Sequence, residues 1–306
     1  MTEVSTLLVH FTLLLGMPPL LLGVINKTKA RFAGRNGPPL LQAYYDLARL
    51  FRKEMVFSET TTWIFRAGPL VTLAGVLLAG VLLPLGAFEA PVRFSGDLVL
   101  FAYLLALGRF FTTAAALDTG SAFEGMGAAR EVSFACFAEA ALFTAFVVLV
   151  RFSGSLSLTP MLHAPALGAL HGLPGAALFL VAVALFVVLL AESSRIPIDD
   201  PNTHLELTMI HEVMVLDHSG PLLGMVLYGA AVKLFLLSAL LLHLVLPVTW
   251  GDARLDWPWF IAGILAIAVA IGVVESVMAR LRLRYVPSLL IAAVVLCAFG
   301  FVLTLA

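Results

Sequence analysis

Charged residues are scarce in this sequence. Only 12% of its 306 residues are Asp, Glu, Lys or Arg, and 61% are hydrophobic, whereas soluble domains carry about 25% charged residues. The formal net charge is -1, which provides no basic surface for nucleic acid. This composition excludes an ordinary soluble domain and indicates a chain that lies in a lipid bilayer.

Cysteine is almost absent as well. Cys136 and Cys297 lie far apart, each inside an apolar run, and no CxxC pair occurs. The sequence therefore has neither a disulfide framework nor a ligand set for zinc or an iron–sulfur cluster. We expect no metal and no cofactor bound by this chain itself. Internal repeats and inverted pairs of broken helices, which are typical of secondary transporters, are also missing.

Long apolar runs dominate what is present. A run of about 20 apolar residues crosses a bilayer as a helix, because hydrocarbon offers the backbone no hydrogen-bond partners. The sequence predicts an all-α integral membrane protein, with one transmembrane domain over residues 1–306. No cleavage site follows the first run, so we expect no cleaved signal peptide. The eight predicted spans are about 4–25, 62–88, 95–117, 132–151, 174–191, 221–247, 257–279 and 286–305.

The basic residues predict the orientation. Most Lys and Arg residues lie in the connections 26–61, 118–131, 192–220 and 280–285, whereas the opposite connections hold only Arg93, Arg151 and Arg254. Loops rich in Lys and Arg remain on the cytoplasmic side. We therefore expect a multi-pass protein of the cytoplasmic membrane with both termini extracytoplasmic.

The first cytoplasmic loop, 26–61, contains an amphipathic pattern. After Pro38 and Pro39, apolar residues recur at helical spacing, with Asp46, Arg49 and Arg52 on the other face. This pattern predicts a helix that lies in the membrane interface. Two interpretations remain open: a surface helix that extends its basic side chains toward lipid phosphates, or a docking platform for a soluble partner.

The third cytoplasmic loop, 192–220, is unusually polar and contains ESSRIPIDDPNTHLELTMIHE. A metal site of the HExxH type is excluded, because Val215 stands where the second histidine would be. We interpret the loop as a surface that contacts a partner, with carboxylates at the mouth of a hydrated passage.

Four ionisable residues lie inside the apolar runs: Arg109, Glu139, Lys233 and Glu275. A charge at mid-bilayer costs about 2.5–3.5 kcal/mol on insertion scales, so such residues face a protein interior or a water path. Arg109 and Glu139 could simply pair, and Lys233 requires a carboxylate partner. With the loop carboxylates, these residues predict a proton path through Glu139, Lys233, Glu275, Asp199, Glu206, Asp217, Glu192, Glu131 and Glu124.

Three groups of polar and small residues follow one another along the chain. The first loop has Arg35-Asn36-Gly37-Pro38, Leu40-Leu41-Gln42, Asp46 and Lys53-Glu54; next come Arg130 and Glu139; the third loop has Ala191-Glu192, Arg195, Pro197, Asp199, Glu206-Leu207 and Ser219-Gly220. With these motifs the chain resembles the NADH dehydrogenase subunit 1 family, the membrane subunit shared by respiratory complex I and energy-converting hydrogenases.

Departures from that pattern indicate a branch. Only Pro39 separates the Gly-Pro pair from Leu-Leu-Gln, Asn202 and His204 stand where quinone-reducing members have acids, and Ala230 replaces a glutamate. By contrast, QAYYDLARL and DDPNTHLELTMIHEVMVLDHSG resemble the formate hydrogenlyase subunit 4 and hydrogenase-4 component C group.

That resemblance implies a non-catalytic anchor and proton-coupling subunit. The implied partners are a hydrogenase large subunit and an iron–sulfur small subunit on the cytoplasmic side, and antiporter-like subunits in the membrane. The nickel–iron centre and the iron–sulfur clusters are expected in those partners. The residues implied in docking are Arg35, Gln42, Asp46, Arg130 and Arg195.

Three alternatives remain open. One is a quinone-binding subunit of the complex I type, and another is a stand-alone ion transporter. The third is an inert anchor in which the buried charges are merely paired.

Overall fold

The computed structural model describes residues 3–163, 172–199, 209–246 and 253–305, and within these ranges it contains helices and no strand. Eight helices have the length and hydropathy needed to cross a membrane, which confirms the predicted all-α membrane architecture. They are α1 (Glu3–Phe32), α3 (Trp63–Leu82), α4 (Asp97–Asp118), α5 (Ala122–Ser153), α7 (Leu173–Glu192), α8 (Gly220–Val245), α9 (Ala253–Val277) and α10 (Val286–Leu303).

Shorter elements connect these helices. Helix α2 (Gln42–Leu50) is the amphipathic helix expected in the first loop, and α6 (Leu158–Leu162) lies between α5 and α7. Two single 3-10 turns, Glu212–Val215 and Leu283–Tyr285, precede α8 and α10.

Several helix ends differ from the predicted spans. Helix α5 begins at Ala122, ten residues before position 132, because Glu124, Arg130 and Glu131 interrupt the apolar run without ending the helix. Helix α3 ends at Leu82 rather than 88, since Pro84 cannot continue it and Gly86 takes a left-handed φ of 68°. At 1.5 Å per residue, α5 is about 48 Å long, well beyond a hydrocarbon core of about 30 Å.

Helix α8 lies at the centre of the bundle. It packs against α1, α3, α7 and α9, and most of its residues are buried. Helix α3 packs on α4, where a Cβ added at Gly75 would lie 3.0 Å from the Leu104 carbonyl oxygen. Small residues of this kind let membrane helices approach closely. Helix α10 covers α5 and α7 on another side of the bundle.

One end of the bundle carries α2 and the polar connections, and we call it the α2 end. Here the Ser219 hydroxyl accepts a hydrogen bond from the Val56 backbone N–H at 3.0 Å, which joins the first loop to the start of α8. Asp118 accepts hydrogen bonds from the Thr62 backbone N–H at 2.7 Å and its hydroxyl at 2.8 Å, and so caps α3. These contacts hold the loops over the helix ends.

Candidate functional site

A buried ionic network surrounds Arg109 of α4. Its guanidinium contacts Glu192 at 2.5 Å, Glu131 at 3.4 Å and Glu139. Lys233 completes the network, since its Nζ lies 2.5 Å from Oε2 of Glu192. We call these five residues, contributed by α4, α5, α7 and α8, the Arg109 network.

Two helices, α5 and α7, bring three carboxylates to the Arg109 guanidinium. Glu131 and Glu139 are separated by about 12 Å along α5, and Arg109 contacts both from the neighbouring helix. Glu192 ends α7 and contacts the guanidinium and the Lys233 ammonium together. Because an unpaired buried charge is costly, such ionised groups persist only as a paired set.

The network contains more acid than base. Two cations face three carboxylates, so the fully ionised set carries one excess negative charge. The Glu192 side chain is only 6% exposed, which leaves little solvent to offset that excess. A site of this composition can take up a proton, or a further cation, without losing all its internal pairs.

The structure modifies two sequence-based interpretations. Arg109 and Glu139 do pair, but Arg109 also contacts Glu131 and Glu192, so it is a hub rather than half of a pair. The carboxylate partner of Lys233 is Glu192. The predicted proton path did not include Arg109. Its position inside an apolar run was the sequence feature that indicated a buried charge with a partner.

Glu275 belongs to a second group, which we call the Glu275 cluster. Lys29 Nζ lies 2.8 Å from its Oε2, and Arg195 Nη1 lies 3.4 Å from its Oε1. The Glu275 side chain is completely buried. The cluster joins the end of α1, the end of α9 and the segment after α7. Within the described residues, its ion pairs do not include a member of the Arg109 network.

Asp199 and Arg130 fix the segment that leads into the 3-10 turn at Glu212–Val215. Asp199 accepts hydrogen bonds from the backbone N–H groups of Ile210 and His211, both at 3.2 Å, and from Arg280 at 2.8 Å. Arg130 donates to the Met209 carbonyl oxygen at 2.8 Å. Both side chains therefore position the polar connection from within this chain.

A cavity of ≈ 370 Å³ lies at the α2 end between α1, α2, α8 and the segment after α7. Its volume is within the range of about 300–1,000 Å³ typical of small-ligand sites. Apolar side chains such as Leu22, Leu47 and Leu227 form part of its wall. The polar part of the wall comes from Asn26, Gln42, Asp46, Ser193, Ser194, Arg195, Asp199, His211 and Glu212.

A smaller cavity of ≈ 50 Å³ adjoins the Arg109 network. Its lining includes Arg109, Glu131, Glu192 and Lys233. Since a polar space above about 10–15 Å³ can hold a water molecule, this one has room for ordered water. The two cavities share wall residues, so they are neighbours: Ser193, Ser194, His211, Val226 and Ala230.

Five other predicted residues lie at the α2 end. Glu124 is buried and accepts a hydrogen bond at 3.0 Å from the backbone N–H of Asp217, whose own side chain is exposed. Arg35 is exposed in the first loop. Gln42 donates to Asp46 at 2.9 Å beside the larger cavity. Glu206 lies outside the described residues.

His218 lies just before α8 and packs against α3. Its ring stacks on Phe65 with centroids 4.0 Å apart. Burial lowers the pKa of His218, while its contact with the Phe65 carbonyl and the nearby Asp217 charge act in the opposite direction. The residue was not singled out from the sequence, because a lone histidine in a polar loop carries no distinctive pattern.

No group of three or more His, Cys, Asp or Glu side chains within the described ranges is arranged to hold a metal ion. The Arg109 network and the Glu275 cluster are built from ionisable groups, which can take up and release protons and make and break ion pairs.

Comparison with known proteins gives consistent matches over nearly the whole chain. A family model described as NADH dehydrogenase matches residues 4–306. Hydrogenase-4 component C of Escherichia coli (strain K12) is 32% identical over 241 residues, which cover 78% of this chain and 74% of that protein. Formate hydrogenlyase subunit 4 of the same strain is 29% identical over 296 residues, 92% of each chain.

Two further matches extend the comparison. A subunit of the NADH-quinone oxidoreductase of Anaplasma phagocytophilum (strain HZ) is 28% identical over 284 residues, 82% of this chain and 81% of that one. Among solved structures, a chain of the membrane-bound sulfane sulfur reductase, an archaeal respiratory membrane complex, superposes with a TM-score of 0.82 at 21% identity over 98% of both chains. The structural match establishes a shared fold, and the sequence matches confirm the resemblance derived from the motifs.

Proposed function

Because the chain belongs to the NADH dehydrogenase family, we propose that it is the anchor and proton-coupling subunit of a membrane-bound nickel–iron hydrogenase complex similar to formate hydrogenlyase. It is a transmembrane subunit of an oxidoreductase complex of the hydrogenase, formate hydrogenlyase and complex I type. The hydrogenase branch is favoured by the match to formate hydrogenlyase subunit 4, which covers 92% of both chains.

The α2 end is the proposed seat for the soluble redox arm. Its exposed basic residues and its open cavity lie together there, with Arg35, Gln42 and Asp46 on the first loop and α2. The partners would be a hydrogenase large subunit and an iron–sulfur small subunit, which hold the metal centres. We propose that this end faces the cytoplasm and that both termini lie outside, which the excess of Lys and Arg in its loops supports. Antiporter-like subunits would contact the chain within the membrane.

The Arg109 network is the observation that supports proton coupling. A proton that enters from the larger cavity would pass the shared wall at Ser193 and Ser194 and reach Glu192. Protonation of Glu192 would weaken its contacts with Lys233 and Arg109 together. Removing one partner from a buried ion pair costs about 3–5 kcal/mol. A change of charge in the soluble redox arm would therefore change which residues of the Arg109 network remain paired.

The proposal is tested by the ratio of protons moved to electrons transferred. The intact complex is placed in inverted vesicles, where hydrogen formation and vesicle acidification are recorded together for wild type, Glu192→Gln and Lys233→Met. Glu89→Gln is the matched control, because Glu89 pairs with Arg93 away from the network. We expect both network variants to retain electron transfer but lower the ratio, with the control unchanged. An unchanged ratio in assembled network variants would refute the coupling role.

The ≈ 370 Å³ cavity favours a second candidate, a quinone-binding subunit of the complex I type. A photoactivatable quinone analogue distinguishes the two when it is added to the purified complex. Labelling of α2 or the Arg195 segment, competed by unlabelled quinone, would support quinone binding. No competed label, with full hydrogenase activity, would support the hydrogenase branch. Ion transport by the purified single chain in liposomes would instead favour a stand-alone transporter.

A further inference from the structure

Glu139 is the member of the Arg109 network that reaches the outer surface of the bundle. Its side chain is 39% exposed, whereas that of Glu131 is 16% exposed and that of Arg109 is 9% exposed. Glu139 also lies deep in the membrane: fourteen residues separate it from Ser153 at the end of α5, about 21 Å along the helix. The hydrocarbon core is about 30 Å thick. The exposed carboxylate is therefore at a depth where acyl chains would surround it.

Contact of this carboxylate with acyl chains is energetically unfavourable. Ionisable residues in membrane helices characteristically face a protein interior or a hydrated cavity, because lipid cannot replace their hydrogen bonds. Arg109 already contacts two further carboxylates besides Glu139, so it cannot satisfy all the acceptors of Glu139. Arg109 Nη1 contacts Oε1 of Glu139, and the 39% exposed carboxylate keeps further acceptor capacity at the surface of the chain.

The surface around Glu139 has the shape that a helix needs. Ser133, Cys136 and Ala140 are exposed on the same stripe of α5, and Val132 and Phe143 continue it on either side. Small residues along a helix let a second helix approach closely, and larger residues at the edges add packing area. Apart from Glu139 and Ser133, whose hydroxyl donates to the Ala129 carbonyl oxygen at 2.7 Å, the stripe is apolar and suits a membrane-embedded partner, not a soluble one.

We propose that this α5 face binds a transmembrane helix of another subunit, which presents a hydrogen-bond-donating side chain to Glu139. Charge complementarity identifies the occupant. The Arg109 network carries one excess negative charge when ionised, and Glu139 is its most exposed acceptor. A donor from the partner satisfies that acceptor, and a Lys or Arg would also neutralise the excess. The proposal rests on the proposed function only in that the chain works inside a membrane complex.

Site-specific photo-crosslinking in the assembled complex tests the interface. p-Benzoylphenylalanine replaces Cys136 or Phe143 on the α5 face, and Val295 or Phe299 on the exposed side of α10 as controls. We expect the α5 positions to attach to one membrane polypeptide, in a helix with a donor side chain within one turn of the attachment point, and the α10 positions to miss that helix. Attachment only to lipid, to a second copy of this chain, or to a helix without a donor would overturn the proposal.

Glu139 variants test the polar contact itself. Glu139→Gln keeps a carbonyl acceptor, so the crosslinked partner should co-purify at near wild-type yield. Glu139→Leu removes the acceptor, and we expect at least a tenfold loss of that partner while the soluble arm remains bound. Equal partner yields for the two variants would contradict the proposed contact.

Native cysteines provide a readout that does not depend on Glu139 variants folding. Cys136 is exposed on the α5 face and Cys297 is buried. A membrane-permeable maleimide should label Cys136 in the purified single chain but not in the intact complex, with Cys297 unlabelled in both. Labelling of Cys136 in the complex would overturn the proposal. These measurements need no turnover, so they separate failure of the interface from failure of proton coupling.

Discussion

Lys233 Nζ and Glu192 Oε2 lie 2.5 Å apart, and the same carboxylate contacts Arg109 through its other oxygen at 2.5 Å. One acid thus holds two cations from different helices. The arrangement makes Glu192 the residue on which the stability of the buried network depends most.

Glu192→Gln should therefore destabilise the protein more than Lys233→Met. The Gln variant leaves two buried cations short of a partner, for which we expect about 3–5 kcal/mol. The Met variant leaves Glu192 still paired with Arg109 and should cost less. Thermal unfolding in detergent, followed by circular dichroism, measures the difference. The double variant should lose less than the sum of the two single changes, and simple additivity would argue against direct coupling.

The Glu275 cluster should control the order of the segment after α7. Glu275→Gln leaves Lys29 and Arg195 without their shared anion. We expect faster hydrogen exchange over residues 193–199, by about tenfold or more, which corresponds to about 1.4 kcal/mol of local stability. Arg284→Met is the control, because Arg284 is exposed and bonds to Tyr285. Similar exchange in both variants would rule out a tethering role.

Close packing of α3 against α4 should make Gly75 sensitive to enlargement. A methyl group at this position would meet the Leu104 carbonyl oxygen at 3.0 Å. Gly75→Val adds further atoms to that contact, and overpacking of this kind costs about 1–3 kcal/mol. Gly16→Ala is the matched control, since nothing lies within 4 Å of its added Cβ. A thermal midpoint for Gly75→Val equal to that of the control would contradict the packing argument.

Acid should destabilise the α2 end through His218. The ordinary pKa of histidine is 6.5, and burial lowers it in the folded protein. Below pH 6.5 the unfolded chain therefore binds more protons at His218 than the folded protein does. The free energy of unfolding is unaffected by His218 above that pH and decreases as the pH falls below it. Thermal midpoints at pH 8 and pH 5.5 measure the loss. His218→Gln should lose less on acidification than wild type. An equal loss would assign the acid effect to other groups.

The sequence predicts the fold well because hydrocarbon imposes one strong rule. Runs of apolar residues must form helices, and eight such runs correspond to the eight long helices. Helix ends follow less directly from hydropathy: α5 begins at Ala122, because Glu124, Arg130 and Glu131 interrupt the apolar run without ending the helix. Hydropathy indicates which residues lie in the lipid and does not give the full length of a helix.

The site was predicted only in part, for a geometric reason. Spacing along a helix gives the depth of Glu139 and Lys233, but not the side of the helix that meets a neighbour. The contact between Arg109 and Glu192 joins residues 83 positions apart, a pairing that a single sequence does not reveal. The Glu275 side chain is buried like that of Glu192, yet it belongs to a different cluster. The sequence alone does not show which cluster each acid joins. The docking roles of Arg35, Gln42 and Asp46, and the role of Glu206, stay predictions.

Helix α5 runs without a break from Ala122 to Ser153. Near its beginning, Glu124 and Arg130 hold the polar connection before α8, and further along, Glu131 and Glu139 contact Arg109. These four side chains are therefore held on one continuous helix. A small tilt imposed on its protruding end would alter the distances between Arg109 and both α5 carboxylates at once. The contacts at the α2 end and those of the Arg109 network thus depend on the position of one helix.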